Sequence, residues 1–177
     1  MQTIQRIVDR LIDLAMILAE VAIAAMMLHI TAEVLSRWIF RYGFDSVPEI
    51  VAYYYMAGLV FFALAYVTRA NGHIAAEIFT EYLSPRPREI LEGVIALALC
   101  AFMIVVTWQT AVEAVSMTSA SEIHQGATMN VPKWPARWFL PVGSGLMALS
   151  ALLIGIGKLR GEPAPGGPAE FKPMAHD

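Results

Sequence analysis

Scarcity sets the first limits on this chain. It has a single cysteine, Cys100, so it can form no internal disulfide and no dithiol redox couple. Set in an apolar run, that thiol reads as a small hydrophobe. Charged residues make up only 15% of the sequence, against roughly 25% in a soluble domain. The net charge of −3 argues against a nucleic-acid partner. There are four histidines, and only His29 falls at membrane depth, so a haem held between paired histidines is excluded. No glycine-rich phosphate loop, zinc-binding spacing or nucleophile elbow occurs. The expectation is a protein with no catalytic residues, no cofactor and no metal.

What is abundant is apolar. Hydrophobic residues account for 58% of the 177, and the mean hydropathy is +0.58. A helix needs about 20 mostly apolar residues to cross the hydrocarbon, and four runs qualify: 14–36, 48–68, 91–112 and 138–157. The fold class expected is therefore an all-α membrane protein. It would form one four-span domain over residues 1–160, with a Pro- and Gly-rich disordered tail over 161–177. The first run is too long for a signal-peptide core and carries acids, so it is expected to stay uncleaved. With four spans, both termini and the 69–88 connection share a side. That side holds Arg6, Arg10, Arg69, Arg86, Arg88, Lys158, Arg160 and Lys172; the other holds Arg37, Arg41, Lys133 and Arg137. Eight basic residues against four place the termini in the cytoplasm. Trp38, Trp108, Trp134 and Trp138 fall toward the outer ends of the spans, where indole rings anchor at headgroup level.

Between the second and third spans, Ile74, Ala75, Ile78, Phe79, Tyr82 and Leu83 draw one apolar stripe, with Glu77, Thr80 and Glu81 opposite. This predicts an amphipathic helix over 73–83, running roughly 16 Å. That is too short to span and suited to the interface, with Ile74, Ile78 and Phe79 as anchors. His73 could in principle be a ligand or proton shuttle. No convergent partner stands near it in sequence, so it reads as the residue that starts this arm.

Charges within the spans each require a reason. Asp9, Asp13 and Glu20 lie within about 40° of one another on a helix. His29, Glu33 and Arg37 form a second stripe on roughly the opposite side. A helix bordered only by lipid would tolerate neither, so the first span is expected to be covered both by its own bundle and by a partner protein. Glu20 is the most deeply embedded acid. It reads either as a proton or cation site, as in small four-span exporters, or as a carboxyl protonated, hydrogen-bonded in the bundle or snorkelling. Glu33 and Arg37 are spaced to pair on one face. Glu49 and Glu113 lie at the same outer depth, and Arg37 bridged to one of them would form a structural lock. His124 and Glu122 are too sparse a pair for a metal site; their loop reads as solvated or as a docking surface. Pro141, Gly143 and Gly145 interrupt the fourth span early rather than centrally, which fits close helix packing better than ion coordination.

Two stretches carry a likeness to a known group. "SRWIFRYGFDSVPEIVAYYYMAGLVFFALAYVTRANGHIAAEIF" has an Arg after the first span, Glu49 opening the second, and Arg69, Gly72, His73 and Ile74 at its end. "VPKWPARWFLPVGSGLMAL" adds Pro132, Trp134, Pro141, Gly143 and Met147. Together they resemble the small membrane subunit of tripartite ATP-independent periplasmic (TRAP) transporters. The chain departs from that pattern at Ala75, Ala76 and Glu77, and it has Tyr53, Tyr54 and Tyr55 where a Trp is common. The resemblance implies a bacterial or archaeal cytoplasmic membrane and two protein partners. One is a periplasmic binding protein that captures an organic acid; the other is a large membrane subunit that moves it on the sodium gradient. The small subunit would brace the large one, and the outer loop, residues 116–137, is a candidate seat for the binding protein. The competing expectation is an autonomous proton-coupled exporter centred on Glu20.

Overall fold

The computed structural model describes residues 2–44, 46–70, 85–125 and 130–160. The predicted arm over 73–83, with His73, Ile74, Ile78 and Phe79, lies outside the described residues, as does the tail over 161–177. Helix α1 runs Gln2–Phe40. The second span is built from α2 (Val47–Ile50), a π-helical segment (Val51–Met56) and α3 (Ala57–Arg69). The third is α4 (Pro85–Ser119) and the fourth is α5 (Phe139–Arg160). All four are long and apolar enough to cross a membrane. A helix of 39 residues runs about 58 Å, well past roughly 30 Å of hydrocarbon, so α1 either tilts or projects from the bilayer.

The helix ends follow local chemistry. Arg41 takes the left-handed conformation (φ 54°) that ends α1, and Ser121 (φ 51°) does the same for α4. After Ser121, the Glu122 amide returns 3.1 Å to the Met117 carbonyl, satisfying one of the last orphan acceptors. Pro48 sits in the opening turn of α2, where no intrahelical donor is needed. Beyond α4 the outer loop forms a two-stranded antiparallel ladder, with β1 (Ile123–Gln125) against β2 (Asn130–Pro132). The sequence gives no alternating apolar run there, so the pairing is not legible in it.

The spans form an open row rather than a closed bundle. In spatial order they stand first, second, fourth, third: α1 packs on α3, α3 on α5, and α5 on α4, while α1 touches α5 only lightly. Half of the most apolar stretch of α5 is buried, against 17% in α1 and 11% in each of the other two. The fourth span is therefore the most enclosed of the row. Because lipid is as apolar as a side chain, such helices are joined by close fit rather than by escape from water. Gly143 is where α5 meets α3: a Cβ there would lie 2.7 Å from the Phe61 carbonyl carbon. Gly93 and Gly155 let α4 and α5 cross in the same way, since a Cβ on either would press within 3.4 Å of the other's carbonyl oxygen. The helix continues through Pro141, so the small residues there serve contact. Val8, Ile12, Ala65 and Met147 form the core cluster, joining α1, α3 and α5.

Candidate functional site

The ion pairs of the spans gather at the two ends of the helices. At the end that carries the described chain termini, Arg69 closes α3 and turns back to α1. It donates to the Asp13 carboxylate at 2.5 Å and to the Asp9 backbone carbonyl at 3.2 Å, and lies 3.6 Å from the Asp9 carboxylate. Its guanidinium also stacks 5.1 Å over the Tyr66 ring. On the other side of the row, Lys158 of α5 pairs with Glu92 of α4, which also accepts from Arg88 at 2.9 Å. Each cluster ties two antiparallel spans directly. Arg69 thus takes up two of the three acids in the first stripe.

Glu20 is the third, and it stands apart. It is exposed on α1 and makes no hydrogen bond or ion pair with another described residue. The bond within its own bundle that the sequence allowed is not made. One turn behind it is Ile17; further along the same face lie Met27, Thr31 and Trp38, all exposed. The buried seam of α1 runs instead through Val8, Ile12, Ala15 and Ala19.

At the opposite end, which we call the hairpin end, Glu33 is 8% exposed. Its carboxylate accepts from Arg37 Nε at 3.1 Å and Nη2 at 2.5 Å, and from the Phe44 amide at 2.5 Å. Ser36 donates to the Tyr42 carbonyl at 2.8 Å. Together they fasten the connection that follows α1. Arg37 therefore pairs with its i−4 neighbour rather than reaching Glu49 or Glu113, because one helix turn brings Glu33 closer than any other span can. Glu49 makes no hydrogen bond or ion pair with another described residue. His29 lies edge-on to Tyr55, with Nδ1 3.4 Å from the hydroxyl.

The three consecutive tyrosines sit in the π-helical segment, and each meets a different neighbour. Tyr53 lies under the Lys133 ammonium, 4.4 Å from ring centre to nitrogen. The Tyr54 hydroxyl donates to the Pro132 carbonyl at 2.6 Å, and its ring meets Phe139 edge-on. Tyr55 faces α1. A wider helical turn often marks a functional position; here it distributes one tyrosine run among the first span, the hairpin and the fourth span.

Arg137 holds the hairpin. It donates to both carboxylate oxygens of Glu122, at 2.6 and 2.9 Å, and Glu113 is 3.8 Å away. The bidentate guanidinium keeps the Glu122 carboxyl below its ordinary value of 4.5. Trp138 donates to the Thr118 hydroxyl at 3.1 Å. Trp38 and Trp108 are largely bare, at 79% and 73% exposed, while Trp134 is at the hairpin itself. Trp108 stands 11 residues before Ser119, further inside its helix than Trp38, two residues before Phe40, is in α1.

The structure brings together Glu33 with Arg37, and Glu113 with Arg137; among the described residues it leaves Glu20 and Glu49 without partners. Sequence reasoning missed the roles of Arg69 and of the Glu92–Lys158 pair. The signal was available, since opposite charges stood at the same end of neighbouring spans, but which spans are neighbours is a fact of three dimensions.

Four membrane-capable helices in a polar-ended row define a multi-pass membrane protein. Residues 26–161 match the family described as Tripartite ATP-independent periplasmic transporters, DctQ component. The match spans most of the chain, and the chain belongs to that family: it is the small subunit of a TRAP transporter. Neither the curated proteins nor the solved structures contain a match to it.

Proposed function

We propose that this chain is a brace. It would hold a large membrane transport subunit steady during sodium-driven uptake of an organic acid, a carboxylate delivered by a periplasmic binding protein. The observation that carries this reading is the outward Glu20. A carboxylate at membrane depth with no partner among the described residues calls for one in another chain, because an unpaired charge facing lipid is costly. The row supports the mechanical part. The fourth span is pinned by close crossings on both sides and the terminal end is clamped by ion pairs, so the plate resists shear while a neighbour moves against it. The excess of basic residues at the terminal end supports cytoplasmic termini. The hairpin would then face the binding protein.

Purification in mild detergent tests this reading. A much larger polytopic protein should be recovered in equal amount, and Glu20→Gln should lower that recovery. Its absence would remove the partner. A proton-coupled exporter centred on Glu20, the competing reading, would instead show gradient-driven flux from the chain alone, lost outright in Glu20→Gln.

A further inference from the structure

The row leaves a gap. α3 and α4 both lean on α5 and share no extensive contact, and between them at the hairpin end is a cleft of about 390 Å³. Tyr53, Ala57 and Phe61 line it along one side; from the first to the last is about 12 Å along the helix, leading away from the hairpin. Leu140 of α5 adds to the apolar wall. Lys133, Arg137 and Glu113 stand at the hairpin end of the same cleft.

Those charges are not equally committed. Arg137 is engaged by both oxygens of Glu122. Lys133 sits over the Tyr53 ring, within electrostatic reach of Glu122, but makes no salt bridge with any described residue. Glu113 is half exposed, and its nearest cation is the already engaged Arg137. The mouth therefore offers one available cation and one available anion above an apolar slot. With Glu122, which holds Arg137 from outside the lining, counted beside Glu113, Lys133 and Arg137, the net charge there is zero. An anionic headgroup would gain from Lys133 and lose against Glu113. A headgroup bearing both a phosphate and an ammonium would gain from both.

We propose that this cleft binds one zwitterionic phospholipid from the leaflet at the hairpin end. Its phosphate meets Lys133, its ammonium lies toward Glu113, and an acyl chain runs down Ala57, Phe61 and Leu140. The lipid fills the gap that the row leaves between the second and third spans and completes the plate at that end. This inference rests on the four-span membrane fold and stands independently of the bracing role.

Native mass spectrometry of the full-length protein released from detergent tests it. Phosphatidylethanolamine, phosphatidylcholine and phosphatidylglycerol with matched chains would be offered in turn, as would soluble glycerophosphoethanolamine. One zwitterionic lipid should be retained per chain in preference to phosphatidylglycerol, and the soluble headgroup should not compete. Lys133→Ala should lower the retained fraction about tenfold, the scale of one charge-assisted hydrogen bond, and Lys133→Arg should restore it. Ala57→Phe should lower it as much by filling the slot with both charges intact. Equal retention of phosphatidylglycerol, or competition by the soluble headgroup, would overturn the assignment in the wild-type protein, with no variant needed. Undiminished retention in both Lys133→Ala and Ala57→Phe would overturn it as well.

Discussion

The two ends of the row use charge differently. At the terminal end, ion pairs run from helix to helix: Arg69 to Asp9 and Asp13 joins the first span to the second, and Lys158 to Glu92 joins the fourth to the third. At the hairpin end, the strong pairs hold connections. Glu33 and Arg37 lie on one helix and fasten the segment after it, and Arg137 with Glu122 fastens the ladder. The terminal end thus fixes the spacing of the spans, while the hairpin end fixes the loops and leaves a cleft between two spans open. A plate built this way is stiff at one end and receptive at the other.

The largest blow to this contrast should come from the middle, on which both ends depend. Gly143→Val would drive a side chain into the Phe61 backbone. It should lower unfolding stability in detergent by about 1–3 kcal/mol, the usual cost of overpacking; an unchanged midpoint would mean the crossing is looser than described. Next comes the terminal clamp. Lys158→Met leaves Glu92 with Arg88 as its remaining cation among these pairs, and should cost about 1–2 kcal/mol, between the exposed and the buried limits for an ion pair. Arg69→Gln should cost less, about 1 kcal/mol, because Asp9 and Asp13 remain partly open to water.

At the hairpin end the same kind of substitution should act locally. Glu33→Gln should speed hydrogen exchange at Tyr42–Phe44 and leave the global midpoint nearly unmoved. A global loss as large as that of Lys158→Met would erase the distinction between the ends. The smallest effect is set by pH. The folded carboxyl of Glu122 lies below its ordinary value, so the unfolded hairpin binds protons more readily than the folded one. The stabilisation is therefore present above about pH 4.5 and fades as pH falls from there through the depressed folded value. Exchange protection in the hairpin should follow that course, and Glu122→Gln should remove it.

Much of this organisation was legible beforehand, for identifiable reasons. Apolar run length announces a membrane helix, and four such runs became four long helices. The Glu33–Arg37 pair could be read because an i,i+4 spacing lies within one element. The row order could not, because in lipid hydropathy does not say which span touches which; that is decided by small residues such as Gly143, Gly93 and Gly155. For the same reason the sequence leaves Glu49 and Glu113 open as partners for Arg37, and shows Arg69 as part of a motif rather than as a clamp. The ladder of 123–125 against 130–132 is hidden by its brevity. The outward direction of Glu20 was half visible: its stripe was evident, but Arg69's capture of the other two acids in it was not.

Reconstitution into vesicles under a sodium gradient tests the bracing role most directly. The chain by itself should move no organic acid, and with the large subunit and the binding protein present uptake should appear. Gradient-driven flux from vesicles holding this chain alone would contradict the account.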